Sequence, residues 1–224
     1  MKRFFHDELQ ELHNALVLMG EKSLESVRLA AGCLVQKDPA LAAKARALMA
    51  EIRQLATRID AQCLRYLSLR APVATDLRML CAMLKLVQDL ERLTEEAEDI
   101  AAHARRLVAS NLSLNKLGNL PQIAFLVQSL LRETLDTLIQ SDGEKALGLL
   151  RRNEEIVQLD RLNQERFSQM IQMQGMEAAR MMDLAFISRC FERIGRQAVH
   201  MAEKVIFATR GEDVRQSFQI QVQR

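Results

Sequence analysis

Apolar residues recur along this chain at steps of three and four for most of its length, and two of the runs nearly repeat one another. One carries Leu80, Met83, Val87, Leu90, Thr94, Ala97 and Ala101; the other carries Ile187, Phe191, Ile194, Ala198, Met201 and Val205. Such spacing places each set on one face of a helix. Within these runs Leu90-Glu91-Arg92-Leu93 and Phe191-Glu192-Arg193-Ile194 match at an offset of 101 residues, and Ala97, Ile100 and Ala101 meet Ala198, Met201 and Ala202 at the same offset. The pattern predicts two copies of one helical unit whose stripes are buried mutually.

Turn and capping residues divide the chain into six helices. The first spans about Phe5 to Gln36, with Leu9, Leu12, Leu16, Met19, Val27, Ala30 and Leu34 as its stripe. Asp38-Pro39 supplies an N-cap and a first-turn proline for the second, which runs to about Leu69. Pro72 opens the third, with Asp76 in its first turn, and the pattern continues past His103 towards Val108. The stretch from Ser110 to Asn119 has the turn residues of a linker. Pro121 starts the fourth helix, Ser141-Asp142-Gly143-Glu144 has capping-box spacing for a fifth that reaches Gln174-Gly175, and the sixth ends at Arg210 before Gly211. The predicted fold is all-α: a three-helix bundle over 1–110, a linker at 111–120, a second three-helix bundle over 121–210, and a flexible tail at 211–224.

Composition agrees: 8 Gly and 3 Pro in 224 residues leave few helix breakers, and alternation of the strand type is absent. No apolar run approaches the roughly 20 residues that span a bilayer, and the start Met1-Lys2-Arg3-Phe4-Phe5-His6-Asp7-Glu8 lacks the apolar core of a secretory signal. The expectation is a cytoplasmic protein without direct membrane insertion. A net charge of +2 is too small to indicate nucleic acid, so Arg105-Arg106 and Arg151-Arg152 read as solvated spots. Cys33, Cys63, Cys81 and Cys190 form no CxxC pair and sit in apolar helical stretches, which predicts buried reduced thiols. Met170, Met173, Met176, Met181 and Met182 read as core filler, with an adaptable surface for a partner helix as the alternative.

No pairing of nucleophile and base, phosphate loop or zinc pattern stands out, and no catalysis is expected. His103 and His200 lack the Glu-x-x-His pairing of di-iron bundles, so surface or capping roles are expected. Glu91 with Glu95 and Glu98 reads as a solvated flank beside the core seam or as a ligand set, and Asp76 and Arg78 as fixing the start of the third helix or contacting a partner.

Four stretches carry a family resemblance: Arg70-Ala71-Pro72-Val73-Ala74-Thr75-Asp76-Leu77-Arg78, Leu90-Glu91-Arg92, Phe191-Glu192-Arg193-Ile194-Gly195, and Ala202-Glu203-Lys204-Val205-Ile206-Phe207. In content and order they resemble the signature stretches of the PhoU family. The resemblance covers nearly the whole chain and implies two tandem three-helix bundles. It further implies a cytoplasmic regulator that restrains a phosphate ABC transporter and holds its partner sensor histidine kinase in the phosphate-replete state. A homodimer is implied as well, with Arg70, Asp76, Arg78, Arg92 and Arg193 as signature or partner-binding residues.

Many members of that family bind iron or zinc through an acid followed four residues later by Asp. Two carboxylates at that spacing sit one above the other on a helix and can converge on a cation. This chain departs from the motif. The first half has Glu91 and Glu95, with Asp99 four residues further on, while the second has Arg196 four residues after Glu192, an ion pair that would repel a cation. In the register implied by the family, Met49 and Ala56 stand at helix-two positions of one half, Asn153 and Val157 at those of the other, and Asp60 alone keeps an acid. Glu192 with Arg196 is therefore not expected to be a metal site, and any cation at Glu91 and Glu95 is expected to be loosely held. Beside the regulatory adaptor, the alternatives are a metal-binding helical-bundle protein, enzyme or metal store, using Glu91 and Glu95, and a purely structural helical scaffold.

Overall fold

A computed structural model describes residues 2–173 and 177–214. Its helices are α1 (Lys2–Val35), α2 (Pro39–Arg70), α3 (Ala74–Ala109), α4 (Leu120–Gln140), α5 (Gly143–Leu147), α6 (Glu154–Met173) and α7 (Ala178–Arg210), with a 3-10 turn at Leu114–Lys116. There is no strand among the described residues. Helices α1, α2 and α3 form one three-helix bundle, and α4, α6 and α7 form the second, with the short α5 lying against α7. Every stripe position predicted for the first, third and sixth helices is buried.

The predicted caps hold at three ends and slip at one. Asp38 accepts from the Ala40 N–H at 2.9 Å with Pro39 in the first turn, Asp76 lies in the first turn of α3, and Gly211 ends α7 in the left-handed region at φ 75. The capping box at Ser141 is displaced by one residue. Ser141 instead closes α4 in the left-handed region, and Asp142 caps α5 by accepting from the Lys145 N–H at 2.9 Å.

The single fifth helix of the sequence reading is two. Gly148 ends α5 and turns occupy residues 148–153, so that α6 starts only at Glu154. Asn153 followed by Glu154-Glu155 is itself a helix start, an amide before two acids at the positive end of the dipole. The linker is also more than a tether, because Leu112, Leu117 and Leu120 are buried. Of the predicted tail, residues 211–214 are described and Val214 is buried; residues 215–224 lie outside the described residues.

The two bundles share one core rather than standing apart. Helix α3 packs along α7, and α1 along α4. Across the second contact the Leu138 carbonyl lies 2.9 Å from His13 Nε2, and Arg132 bonds Glu21 at 3.0 and 3.1 Å. Among the methionines, Met181 is buried and Met170 packs on the core, but Met182 is 63% exposed, so it is not filler. The Met173 side chain and Met176 lie outside the described residues.

Candidate functional site

Arg70 ends α2, and its guanidinium bonds both carboxylate oxygens of Glu8 at 2.7 and 3.1 Å, tying the end of one helix to the start of another. The turn that follows holds Ala71 and Ala74 at φ 43 and 48, a conformation in which an L side chain crowds its own backbone. Pro72 and Val73 lie between them. The corner leaves Leu69, Val73 and Leu77 exposed at 69%, 74% and 40%, an apolar set on a polar surface. Arg78 donates to Thr75 Oγ1 at 3.2 Å and lies beside Gly211, so it both fixes the start of α3 and touches the end of α7.

Helices α3 and α7 run antiparallel, and their shared seam is polar as well as apolar. Asp89, 4% exposed, accepts from Gln197 at 2.5 Å and pairs with Lys204. Arg193 donates to Glu96 at 2.7 Å and to Cys190 Sγ at 3.2 Å, with its guanidinium over the Phe186 ring. At the far end Asp183 meets His103 Nδ1 at 2.6 Å and Arg106 at 2.7 Å, and His103 stacks on Phe186. His103 is thus an inter-bundle residue, not a surface or capping one, and Arg106 is paired where a solvated spot was expected. Arg105 is exposed, as predicted, and His200 lines a pocket with Lys85, Lys204 and Phe207. A sequence signal for this seam exists: Asp89, Glu96 and His103 recur every seven residues, as do Asp183, Cys190, Gln197 and Lys204. Of the five signature residues, Arg92 and Arg70 are exposed, Arg70 with its guanidinium paired to Glu8, and Arg193 is half-buried in its pair with Glu96.

In the first repeat Glu91 and Glu95 line a small pocket with Met49, Ile52 and Arg53, which agrees with the expected placing of Met49. Burial, then the charges of Asp60 and Glu95, push the Glu91 carboxyl above its ordinary range, and burial does the same to Asp60. The Asp60 Oδ1 atom is buried without a hydrogen-bond partner. Among the described residues the one acid and thiol group whose ligand atoms lie within 4.8 Å of one another is Glu96, Asp99 and Cys190, and Arg193 already binds two of its members. Burial also pushes the Cys190 thiol well up, away from the thiolate a metal needs. A closed zinc centre takes about four converging ligands. Neither the Glu91, Glu95 and Asp60 group nor the seam group fits one.

The second repeat differs more than its sequence suggested. Glu192, expected to form a helix ion pair with Arg196, is only 2% exposed, and Arg196 grips both its oxygens at 2.6 and 2.8 Å. Beside it Asp160, also 2% exposed, accepts from Ser188 Oγ at 2.8 Å and Gln164 at 3.0 Å and pairs with Arg189 at 3.0 Å. Asn163 donates to Ser188 at 3.1 Å and accepts from the Asn119 N–H at 2.9 Å. Asp160 corrects the reading that Asp60 alone keeps an acid; it stands 100 residues after Asp60, one short of the 101-residue offset of the α3 and α7 stretches, so that offset points to Arg161 instead. Asn153 and Val157 do line a groove with Arg196. Close packing there depends on Gly195, where a Cβ would press on Asn153 Oδ1 and lie 3.2 Å from Ile156.

The PhoU domain family matches residues 16–104 and again 120–205, one match in each bundle. The Pseudomonas aeruginosa protein named "Phosphate-specific transport system accessory protein PhoU homolog" is 31% identical over 214 residues, 94% of this chain and 87% of the relative. A Pseudomonas putida protein of the same name is 30% identical over 211 residues, 94% of this chain and 82% of the relative. The crystal structure of PhoU from Pseudomonas aeruginosa superposes with a TM-score of 0.89 at 29% identity, covering 93% of this chain and 100% of that one. The phosphate transport system regulatory protein PhoU from Streptococcus pneumoniae shares the fold at a TM-score of 0.85 and 24% identity, over 94% of this chain and 99% of that one. With both repeats matched, the same helices in the same order and relatives spanning the full bundle pair, the chain belongs to the PhoU family.

Proposed function

We propose that this chain is a non-catalytic regulatory adaptor of phosphate uptake and phosphate-starvation signalling. It acts in the cytoplasm on a phosphate ABC transporter and its sensor histidine kinase, and it assembles as a homodimer. The observation that carries the reading is the match of both repeats to accessory proteins of phosphate-specific transport over 94% of the chain. No helix among the described residues is long and apolar enough to cross a membrane, so association with transport machinery would run through protein surfaces. The α2–α3 corner supports this: Leu69, Val73 and Leu77 are exposed beside Asp76 and Arg78, and the two strained alanines hold Val73 outward. Arg92 offers a further exposed contact, while Arg70 and Arg193 tie helix to helix through their ion pairs with Glu8 and Glu96.

Deleting the gene tests the proposal. An adaptor that restrains a pathway releases it when lost, so alkaline phosphatase or another starvation reporter rises in phosphate-rich medium, and phosphate uptake rises with it. Unchanged reporter and unchanged uptake would refute the regulator reading.

A further inference from the structure

Two carboxylates, Asp160 and Glu192, are almost wholly buried between α6 and α7, and burying a charge without compensation is prohibitive. Their compensation comes from two arginines of the same helix as Glu192. Arg196 chelates Glu192 through both oxygens, and a single nitrogen of Arg189, Nη1, lies 3.0 Å from Asp160 Oδ2 and 3.8 Å from Glu192 Oε2. That nitrogen sits between the two acids, so that one positive charge faces both. One neutral oxygen stands alongside, since Ser188 Oγ is bonded to Asp160, while Gln164 presents its amide nitrogen to the same carboxylate. The guanidinium ends are about half exposed, 51% for Arg189 and 56% for Arg196, so they form a lid over acids that are themselves out of solvent.

At the equivalent position of the first repeat Arg53 lines the pocket with Glu91 and Glu95, without the two-oxygen grip that Arg196 has on Glu192. Asp60 leaves Oδ1 without a partner, and Asp60 and Glu91 are both pushed above the ordinary carboxylate range by burial, Glu91 also by its acidic neighbours. We infer that Arg189 and Arg196 are built-in cations that close a latent divalent-cation site formed by Asp160 and Glu192, making the second repeat independent of metal. The inference does not depend on which partners the adaptor contacts.

The test uses the full chain carrying Asp60→Asn, Glu91→Gln and Glu95→Gln, so that the first repeat contributes no cation response. In this background the second repeat keeps its arginines, and Mn2+ leaves the melting temperature where EDTA leaves it. Adding Arg189→Gln and Arg196→Gln lowers the melting temperature in EDTA by roughly 5 °C or more, and Mn2+ restores it with about one ion retained per chain on equilibrium dialysis. Further addition of Asp160→Asn and Glu192→Gln abolishes that retention, and Arg189→Lys with Arg196→Lys keeps the chain indifferent to Mn2+. If the double glutamine variant does not fold, Arg189→Gln alone removes the bridging nitrogen and still binds Mn2+ at least tenfold more tightly than the background. Equal Mn2+ affinity with and without the arginines overturns the inference, as does an Arg→Gln variant that binds none.

Discussion

Replacing Lys204 by Met tests whether the bundles are held together by their polar seam. Asp89, on α3 of the first bundle, has a side chain only 6% exposed and faces Lys204 and Gln197 of α7 in the second. Lys204→Met keeps most of the aliphatic packing and removes the charge. Breaking a buried pair by deleting one partner costs about 3–5 kcal/mol, since it strands the other charge. Gln197 still donates to Asp89, and Lys204 retains 21% exposure, so the loss here should fall to about 2–3 kcal/mol. For a chain of this size each kcal/mol moves the melting temperature by about 2–4 °C, which gives a fall of about 5–10 °C by circular dichroism. Adding Asp89→Asn removes the stranded charge, so the double variant should recover at least half the loss, a coupling that a double-mutant cycle in urea reads directly. A single-variant loss below about 0.5 kcal/mol, the value of an exposed pair, would refute the reasoning. Strict additivity in the cycle would refute it equally.

Three further outcomes follow from the same structure. The Glu91 carboxyl is raised in the folded state by burial and by Asp60 and Glu95, so its ionised form destabilises the fold as pH rises through the folded-state value; Glu91→Gln should raise the melting temperature near about pH 7 and leave it unchanged near about pH 3, and a loss at neutral pH would contradict this. Cys63 is pushed up to about 12 by burial and Cys33 and Cys190 are raised for the same reason, so native protein at about pH 8 should be alkylated at half-buried Cys81 first and at the others only in denaturant, and mass spectrometry showing equal labelling of all four would count against it. Gly195→Val forces α6 from α7 at Asn153 and Ile156 and should cost about 1–3 kcal/mol; a urea midpoint equal to that of the parent would show that the contact relaxes freely.

The stripes of α1, α3 and α7, the stop at Gly211 and the Asp38-Pro39 start were legible because each depends on residues within a turn or two of chain. Helical periodicity states which face is apolar, and a cap states where a helix begins, whatever lies opposite. Even the repeat was legible, since Glu91 and Glu192 occupy one position in two copies. Local signals misled where two competed: Ser141 and Asp142 are both capping residues, and only the path into α5 decided that Ser141 ends a helix while Asp142 starts one. The fate of polar side chains was decided by tertiary structure alone. Glu192 and Glu91 precede the same Arg in the repeated stretch, yet one is buried under Arg196 and Arg189 and the other half-exposed beside Arg53. His103 became an interface residue because α7 brings Asp183 and Phe186 to it from 80 residues away. A side chain's charge is fixed by its identity, but its counter-charge is supplied by whichever helix packs against it, and sequence order does not carry that distance.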